Sequence, residues 1–307
     1  MSIEPNFSIL EDRGILAISG EDRVSFLQGL VSNDVKKAGP GRAIYAALLT
    51  PQGKYLHDFF IVEQNGALLL DCEKARLEDL IKRLTLYKLR VDVTLQDRSD
   101  ELTVAAIFGD GWAAWAKGAG LPDSPGAAAA FGEEGIVYAD PRLADVGGRA
   151  IVLANGAEMA FESADFKTAS AADYDRLRLQ LGLPDGSRDM IVEKSILLES
   201  GFDELGGVDW DKGCYMGQEL TARTKYRGLV KKRLMPVTFD GPPPAPATPI
   251  MLGEKEAGEV RSSVATEDGG VGLALMRLEA IEDVSAKLIA DGVSVAPSKP
   301  GWMTVQE

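Results

Sequence analysis

KGCYMGQE, residues 212–219, heads the stretch VDWDKGCYMGQELTARTKYRGLVKKR (208–233), and its reading decides what the rest of the chain is taken to build. From Lys212 to Arg233 seven Lys or Arg (Lys212, Arg223, Lys225, Arg227, Lys231, Lys232, Arg233) stand against one acid, Glu219. That is a local charge of +6 in a chain whose formal net charge is −14. Gly213 and Gly217 bracket Cys214 and permit a tight turn, and the helix formers from Gln218 onward end in Lys225, Arg227 and Gly228, a C-terminal cap. Cys214 is thereby placed just before a helix N-terminus with Lys212 nearby, a setting that lowers a thiol pKa below its free value of about 8.5. Two readings follow: a partly exposed nucleophilic or metal-seeking sulfur, or a small hydrophobe packed in a turn. The basic run likewise reads as a solvated face or as a site for an anionic partner.

The remainder of the chain limits the classes of answer. Its 307 residues, 45% hydrophobic and 26% charged, suffice for more than one core, since single cores stop growing at roughly 250–300 residues. The acidic balance opposes general affinity for nucleic acid and for anionic membranes, so any anion binding is local. MSIEPNFSIL lacks a basic region followed by an apolar core, and no apolar run spans a bilayer, which leads to the expectation of a soluble cytoplasmic protein. Two cysteines, Cys72 and Cys214, are too few for a disulfide framework or a paired-cysteine zinc site, and a single histidine, His57, leaves little room for imidazole-rich metal sites. No metal site is expected.

Punctuation divides the chain into readable units. ILAI (15–18) reads as a strand, and EDRVSFLQGLVSND (21–34) as a short amphipathic helix carrying Val24, Leu27, Leu30 and Val31. AIYAALLT, HDFFIVEQ and ALLLDCE, separated by PQGK and NG, read as an antiparallel meander, followed by a helix over residues 73–90. The Gly/Ala-rich stretch 109–135 predicts a small helix and a loose connection, and helical periodicity resumes over 170–182. GPPPAPATP (241–249) is a linker or edge loop, and the glycine-punctuated apolar runs beyond it, EAGEVRSSVAT and GGVGLALMRLEA, predict a small antiparallel barrel or sandwich. The class is α+β with an all-β tail.

KGCYMGQE followed by TARTKYRG resembles the signature of the YgfZ family, folate-binding relatives of the glycine cleavage T-protein that include mitochondrial factors for late iron-sulfur cluster assembly. SGEDRVSFLQGLVSNDV, LLTPQGKYLHDFFIV, ADPRLADVGGR, RLRLQLGLPDG, GEVRSS and GLALMR agree in the same order, so the resemblance covers nearly the whole chain. It implies a T-protein-like α+β multi-domain fold: a folate-binding region of two interleaved subdomains over 1–234 and a C-terminal β-barrel over 235–307. It further implies tetrahydrofolate or a derivative as ligand, and iron-sulfur assembly or client proteins as partners.

The same resemblance nominates Cys214, Lys212 and Asp58 as chemically active residues. Gly213, Tyr215, Gly217, Gln218 and Glu219 complete the motif, and Gln180, Arg223, Lys225 and Arg227 are candidates for holding folate. An anionic glutamate tail suits Arg or Lys, and a pterin edge suits a carboxylate or amide. Departures from the T-proteins bear on the reaction. Where those enzymes carry two adjacent carboxylates this chain has His57 and Asp58, which as neighbours on a strand point to opposite faces. Where they carry a pterin-contacting glutamate it has Gln180, which hydrogen-bonds without supplying charge. Trp210 reads as core filling, and Arg142 and Arg149 as anchors of a turn. Two hypotheses stand: a folate-binding accessory protein for cluster assembly or repair acting through Cys214, and a folate-dependent aminomethyl transferase with Asp58 as its carboxylate.

Overall fold

The computed structural model describes residues 4–281 and 287–304. The chain forms two interleaved compact units, one of Met1–Leu49, Leu56–Tyr174 and Leu205–Met216, the other of Thr50–Tyr55, Asp175–Glu204 and Gly217–Glu307.

The first unit is built on two sheets. One has five strands in the order Ile44–Leu49, Tyr55–Gln64, Ala67–Glu73, Arg13–Ser19 and Thr94–Asp97. IYAALL is buried along its whole length and YLHDFFIV along all of its first eight positions, the near-continuous apolar run of a strand covered on both faces. The predicted meander is present. Side chains alternate as the pleat demands: His57 Nε2 meets Asp79 at 2.9 Å on the helix Leu77–Thr85, whereas Asp58 accepts a hydrogen bond of 2.7 Å from the Tyr45 hydroxyl. That helix buries Leu77, Leu80 and Leu84, with Glu78 and Asp79 in its first turn and Lys82 and Arg83 in its last, as the helix dipole favours. It stops at Thr85, five residues short of the predicted end, because Leu86–Arg90 offer no face to the core and are all exposed. The helix predicted over 21–34 is likewise confined to Arg23–Gln28.

Burial pushes the His57 pKa down to about 4 against the opposing pull of Asp79, so the folded chain keeps this ring neutral. A base with a lowered folded pKa binds fewer protons folded than unfolded, so stability rises with pH between about 4 and the unfolded value near 6.5. His57→Gln is expected to flatten that part of the pH–stability profile, where the full shift is worth roughly 3 kcal/mol, as read by urea unfolding at pH 4.5 and 7. An unchanged slope would show that the ring is protonated in the fold.

The second sheet runs Lys167–Thr168, Asn6–Ile9, Leu102–Phe108, Gly148–Leu153, Gly135–Ala139 and Ala128–Phe131. An aromatic cluster packs on it, with Phe7 stacked on Phe161 at 4.6 Å between centroids and Phe131 on Phe161 at 5.0 Å. The stretch expected to be a small helix and a loose connection contains the helix Trp112–Gly118, but Ala128–Phe131 pairs antiparallel with Gly135–Ala139. Alanine-rich sequence is a poor strand former by propensity, and pairing at a sheet edge overrides it. The Trp112 indole lies over Gly148, where an added Cβ would come within 2.2 Å of the ring, so the glycine is what lets the helix close on the sheet.

In the second unit Lys232–Phe239, Gly269–Arg277, Lys255–Thr266, Pro249–Leu252, Leu288–Ala290 and Val293–Pro297 close into a barrel, as the tail predicted. Met235, Val237, Phe239, Ile250, Val260, Met276, Leu288 and Val295 fill it. GPPPAPATP is the connection between its first two strands in chain order, the only role so proline-rich a segment can take in a closed sheet. A register shift between Val260 and Ser262 bends the longest strand, a corner device of small barrels.

Candidate functional site

Cys214 is exposed, and Cys72, the other cysteine, is buried with its thiol pushed up to about 12 by burial. Of the two thiols, only that of Cys214 is therefore presented to solvent. The backbone around it follows the glycine reading, with φ of +90° at Gly213 and +83° at Gly217, conformations that L side chains rarely adopt. The helix expected after the motif runs Gln218–Tyr226.

What holds Cys214 out is a set of bonds from a different motif. The Ser32 hydroxyl donates to the Gly207 carbonyl at 2.6 Å, and the Asn33 amide donates to the carbonyls of Gly206 and Tyr45, both at 2.7 Å. The Met216 amide donates to the Gly29 carbonyl at 3.1 Å. Lys212 turns inward: its ammonium donates to the carbonyls of Gln28 (2.8 Å) and Val31 and lies 5.0 Å from the centre of the buried Tyr215 ring. Burial lowers the Lys212 pKa to about 8. SGEDRVSFLQGLVSNDV, singled out only as a stretch of resemblance, is thus the platform on which VDWDKGCYM sits, and Lys212 is one of its clamps.

Beside this platform lies a pocket of about 330 Å³, with Tyr45, Trp210, Lys37, Arg42 and Asp211 among its lining residues. Trp210, expected to fill core, is only half-buried and lines this pocket, whereas Val208 and Asp209 before it are buried. Lys37 pairs with Asp209 at 2.5 Å. The lining combines the half-buried Trp210 indole and Arg42 with the carboxylates of Asp209 and Asp211, and the volume is within the range of small-molecule sites. Asp58 does not line it and stands behind the Tyr45 hydroxyl.

The nominated residues of the second unit divide by environment. Gln180 is exposed on the helix Ala171–Leu181, and Arg223 and Arg227 are exposed on Gln218–Tyr226 and just after it. Glu219 is exposed and Gln218 half-buried in the first turn of the latter helix, and the Gly217 carbonyl accepts from Thr221. Lys225 is bound by both oxygens of Asp203 at 2.9 and 3.0 Å, so its charge is neutralised within the unit.

Sequence reasoning missed the most heavily charged feature of the first unit. Asp71, fully buried, accepts from Arg13 Nε and Arg149 Nε at 2.7 Å each and from the Tyr138 hydroxyl at 3.3 Å. Arg142 is held by Asp140, and the guanidinium carbons of Arg142 and Arg149 lie 4.8 and 4.4 Å from the centre of the Phe60 ring. Burial pushes the Asp71 pKa up, but Arg13 and Arg149 outweigh it and hold the carboxyl below its usual range. Arg142 and Arg149 therefore do more than anchor a turn: they tie the two sheets through their buried faces. Two arginines seven residues apart around a DPR were the available signal.

A family model for the CAF17 C-terminal beta-barrel domain matches residues 231–305, and one for the GCVT N-terminal domain matches residues 12–111. The mitochondrial iron-sulfur cluster assembly factor IBA57 of Homo sapiens is 33% identical, over 95% of this chain and 84% of that protein. The IBA57 of Mus musculus is 32% identical, over 89% of this chain and 78% of that protein. Among solved structures, the glycine cleavage system aminomethyltransferase T from Bartonella henselae superposes with a TM-score of 0.78 at 15% identity, over 98% of this chain and 86% of that one, which shows a T-protein-like fold. The expectation of a cytoplasmic protein is corrected by these relatives, which are named as mitochondrial and point to that organelle. Its ground was the lack of an apolar core in MSIEPNFSIL, which speaks to secretion and not to a mitochondrial address, whose signature is amphipathic and Arg-rich. With a T-protein-like fold, a CAF17-type barrel and identity to IBA57 along most of its length, the chain belongs to the CAF17/IBA57 family, whose relatives are iron-sulfur cluster assembly factors.

Proposed function

We propose that this chain is a tetrahydrofolate-binding accessory factor for assembly or repair of iron-sulfur clusters, in which Cys214 meets a cluster, a thiol or a partner protein. The single observation that carries this reading is the contrast between the two sulfurs, Cys214 exposed on a buttressed loop and Cys72 sealed in the core. One thiolate does not hold a cluster by itself, since clusters are normally held by four ligands, so Cys214 acts on a cluster shared with or handed to another protein. Support for the folate part comes from the chemistry of the Trp210 pocket, where Arg42 suits a carboxylate tail while Lys37 is already paired with Asp209. Gln180, Arg223 and Arg227 remain proposed folate contacts, as does Lys225 if Asp203 gives way.

The transferase reading is weaker. It needs Asp58 at the reacting folate nitrogen, yet this carboxylate is buried and committed to Tyr45. A pair of variants separates the two in cells lacking the chain. Cys214→Ala is expected to leave cluster-dependent enzymes as inactive as in the empty background, and Asp58→Asn, if the protein stays folded, to restore them. The reverse pattern, with aminomethyl transfer lost in Asp58→Asn, would establish the transferase. Calorimetric titration of the purified protein with tetrahydrofolate, wild type against Trp210→Ala and Arg42→Ala, tests the ligand. Absence of heat in the wild type removes folate from both readings.

A further inference from the structure

Nine large apolar side chains are exposed in the described residues, and three of them, Leu86 (68% exposed), Tyr87 (44%) and Leu89 (78%), fall within four consecutive positions. Scattered exposed apolar residues need no explanation, but a cluster of this kind marks an interaction site. Its backbone carries a further mark, since Arg90 adopts φ +61°, a left-handed conformation costly for a side chain of that size. The segment is fixed to the loop described above: the Tyr87 hydroxyl donates to Met216 Sδ at 3.1 Å, and Met216 is two residues beyond the exposed Cys214. All of these residues belong to the first unit.

We infer that Leu86–Arg90 is a docking surface for a partner protein whose apolar patch is edged with carboxylates, and that docking there brings the partner against Cys214. The inference rests on Cys214 being the meeting point proposed above. Charge selects the occupant. Between residues 82 and 91 there are four Lys or Arg and no acid; Arg83 is paired with Asp79 at 2.8 Å, while Lys88 and Arg90 stand exposed on either side of Leu89. An acidic rim satisfies those cations. An isologous contact with a second copy would instead set Lys88 and Arg90 against themselves. An anionic membrane is opposed by the net charge of −14 of the whole chain.

Leu86→Ser/Leu89→Ser and Lys88→Glu/Arg90→Glu test this in cells lacking the chain, with Cys214→Ser alongside. Because the segment is exposed, both variants are expected to keep the wild-type urea midpoint and the wild-type heat of tetrahydrofolate titration. The activity of cluster-dependent enzymes is expected to fall about tenfold or more in each, the effect of about 1.4 kcal/mol of lost docking energy. Wild-type activity in both variants would overturn the surface. So would wild-type protein that is dimeric in sedimentation equilibrium and becomes monomeric in the variants, or that co-sediments with phosphatidylserine-containing vesicles when the variants do not. Failure of the Cys214 reading has a different signature: Cys214→Ser would then restore activity whatever the loop variants do, and a loop loss seen beside it would overturn presentation to Cys214.

Discussion

Asp71→Asn is expected to destabilise the first unit by about 3–5 kcal/mol, the cost of breaking a buried ion pair from one side. Asparagine keeps the shape and so leaves no cavity, but it removes the charge that Arg13 and Arg149 share at 2.7 Å, and both arginines are buried. Tyr138 loses its charged acceptor as well. The measurement is urea unfolding, in which the midpoint falls while the slope is kept. A change below about 1 kcal/mol would mean that water or relaxation satisfies the two guanidiniums, as at an exposed pair. The pH dependence has a definite sign. The carboxyl is held below its unfolded value, so its contribution is complete above the unfolded pKa near 4 and is lost as pH falls through the lower folded value. Asp71→Asn therefore flattens the acid limb of the wild-type profile.

A second loss of similar size, again about 3–5 kcal/mol, is expected for Arg178→Met in the other unit. Arg178 is 1% exposed and donates to Asp175, to the Leu183 carbonyl, to Asp189 Oδ2 at 2.7 Å and to the Ser262 hydroxyl at 3.2 Å. Ser262 in turn donates to Asp189, so one arginine binds its helix to the next turn of chain and to a barrel strand. Methionine fills much of the volume and leaves Asp189 buried without its cation. Arg178→Met/Asp189→Leu is expected to recover a large part of the loss, because the cost lies in the orphaned charge and not in the missing attraction. If the double variant is as unstable as the sum of the two single ones, the four-group network itself carries the stability.

The parts of the fold that were legible in the sequence are those governed by local pattern. The barrel showed in glycine-separated apolar runs, its proline-rich connection in GPPPAPATP, and the meander in AIYAALLT, HDFFIVEQ and ALLLDCE. What did not show depends on distant chain. Asp71 looks like the polar end of a strand until Arg13, 58 residues earlier, and Arg149, 78 residues later, arrive beside it. The interleaving that places Thr50–Tyr55 and Asp175–Glu204 with the barrel unit leaves no mark on periodicity. Helix lengths were overestimated for the same reason, since Leu86 and Leu89 continue an apolar pattern that meets no core.

The site followed the same division. The turn bracketed by Gly213 and Gly217 came from residue type alone, whereas the exposure of Cys214 did not: its spacing suited a packed small hydrophobe equally well, and only the fold decides between the two. The basic run did not behave as a block: Lys212 is spent on carbonyls and Lys225 on Asp203, while Arg223 and Arg227 face solvent. Net charge along a sequence does not say which cations are already paired. In RLRLQLGLPDG the sequence drew attention to Gln180, which is exposed, and passed over Arg178, which holds the unit together.

The most direct test changes one atom. In cells lacking the chain, Cys214→Ser replaces the exposed sulfur by oxygen and leaves the platform of Ser32, Asn33 and Lys212 untouched. The specific activity of a cluster-dependent enzyme, measured at equal abundance of the two proteins, is expected to remain at the level of cells without the chain. Activity restored to the wild-type level by the serine variant would contradict the account.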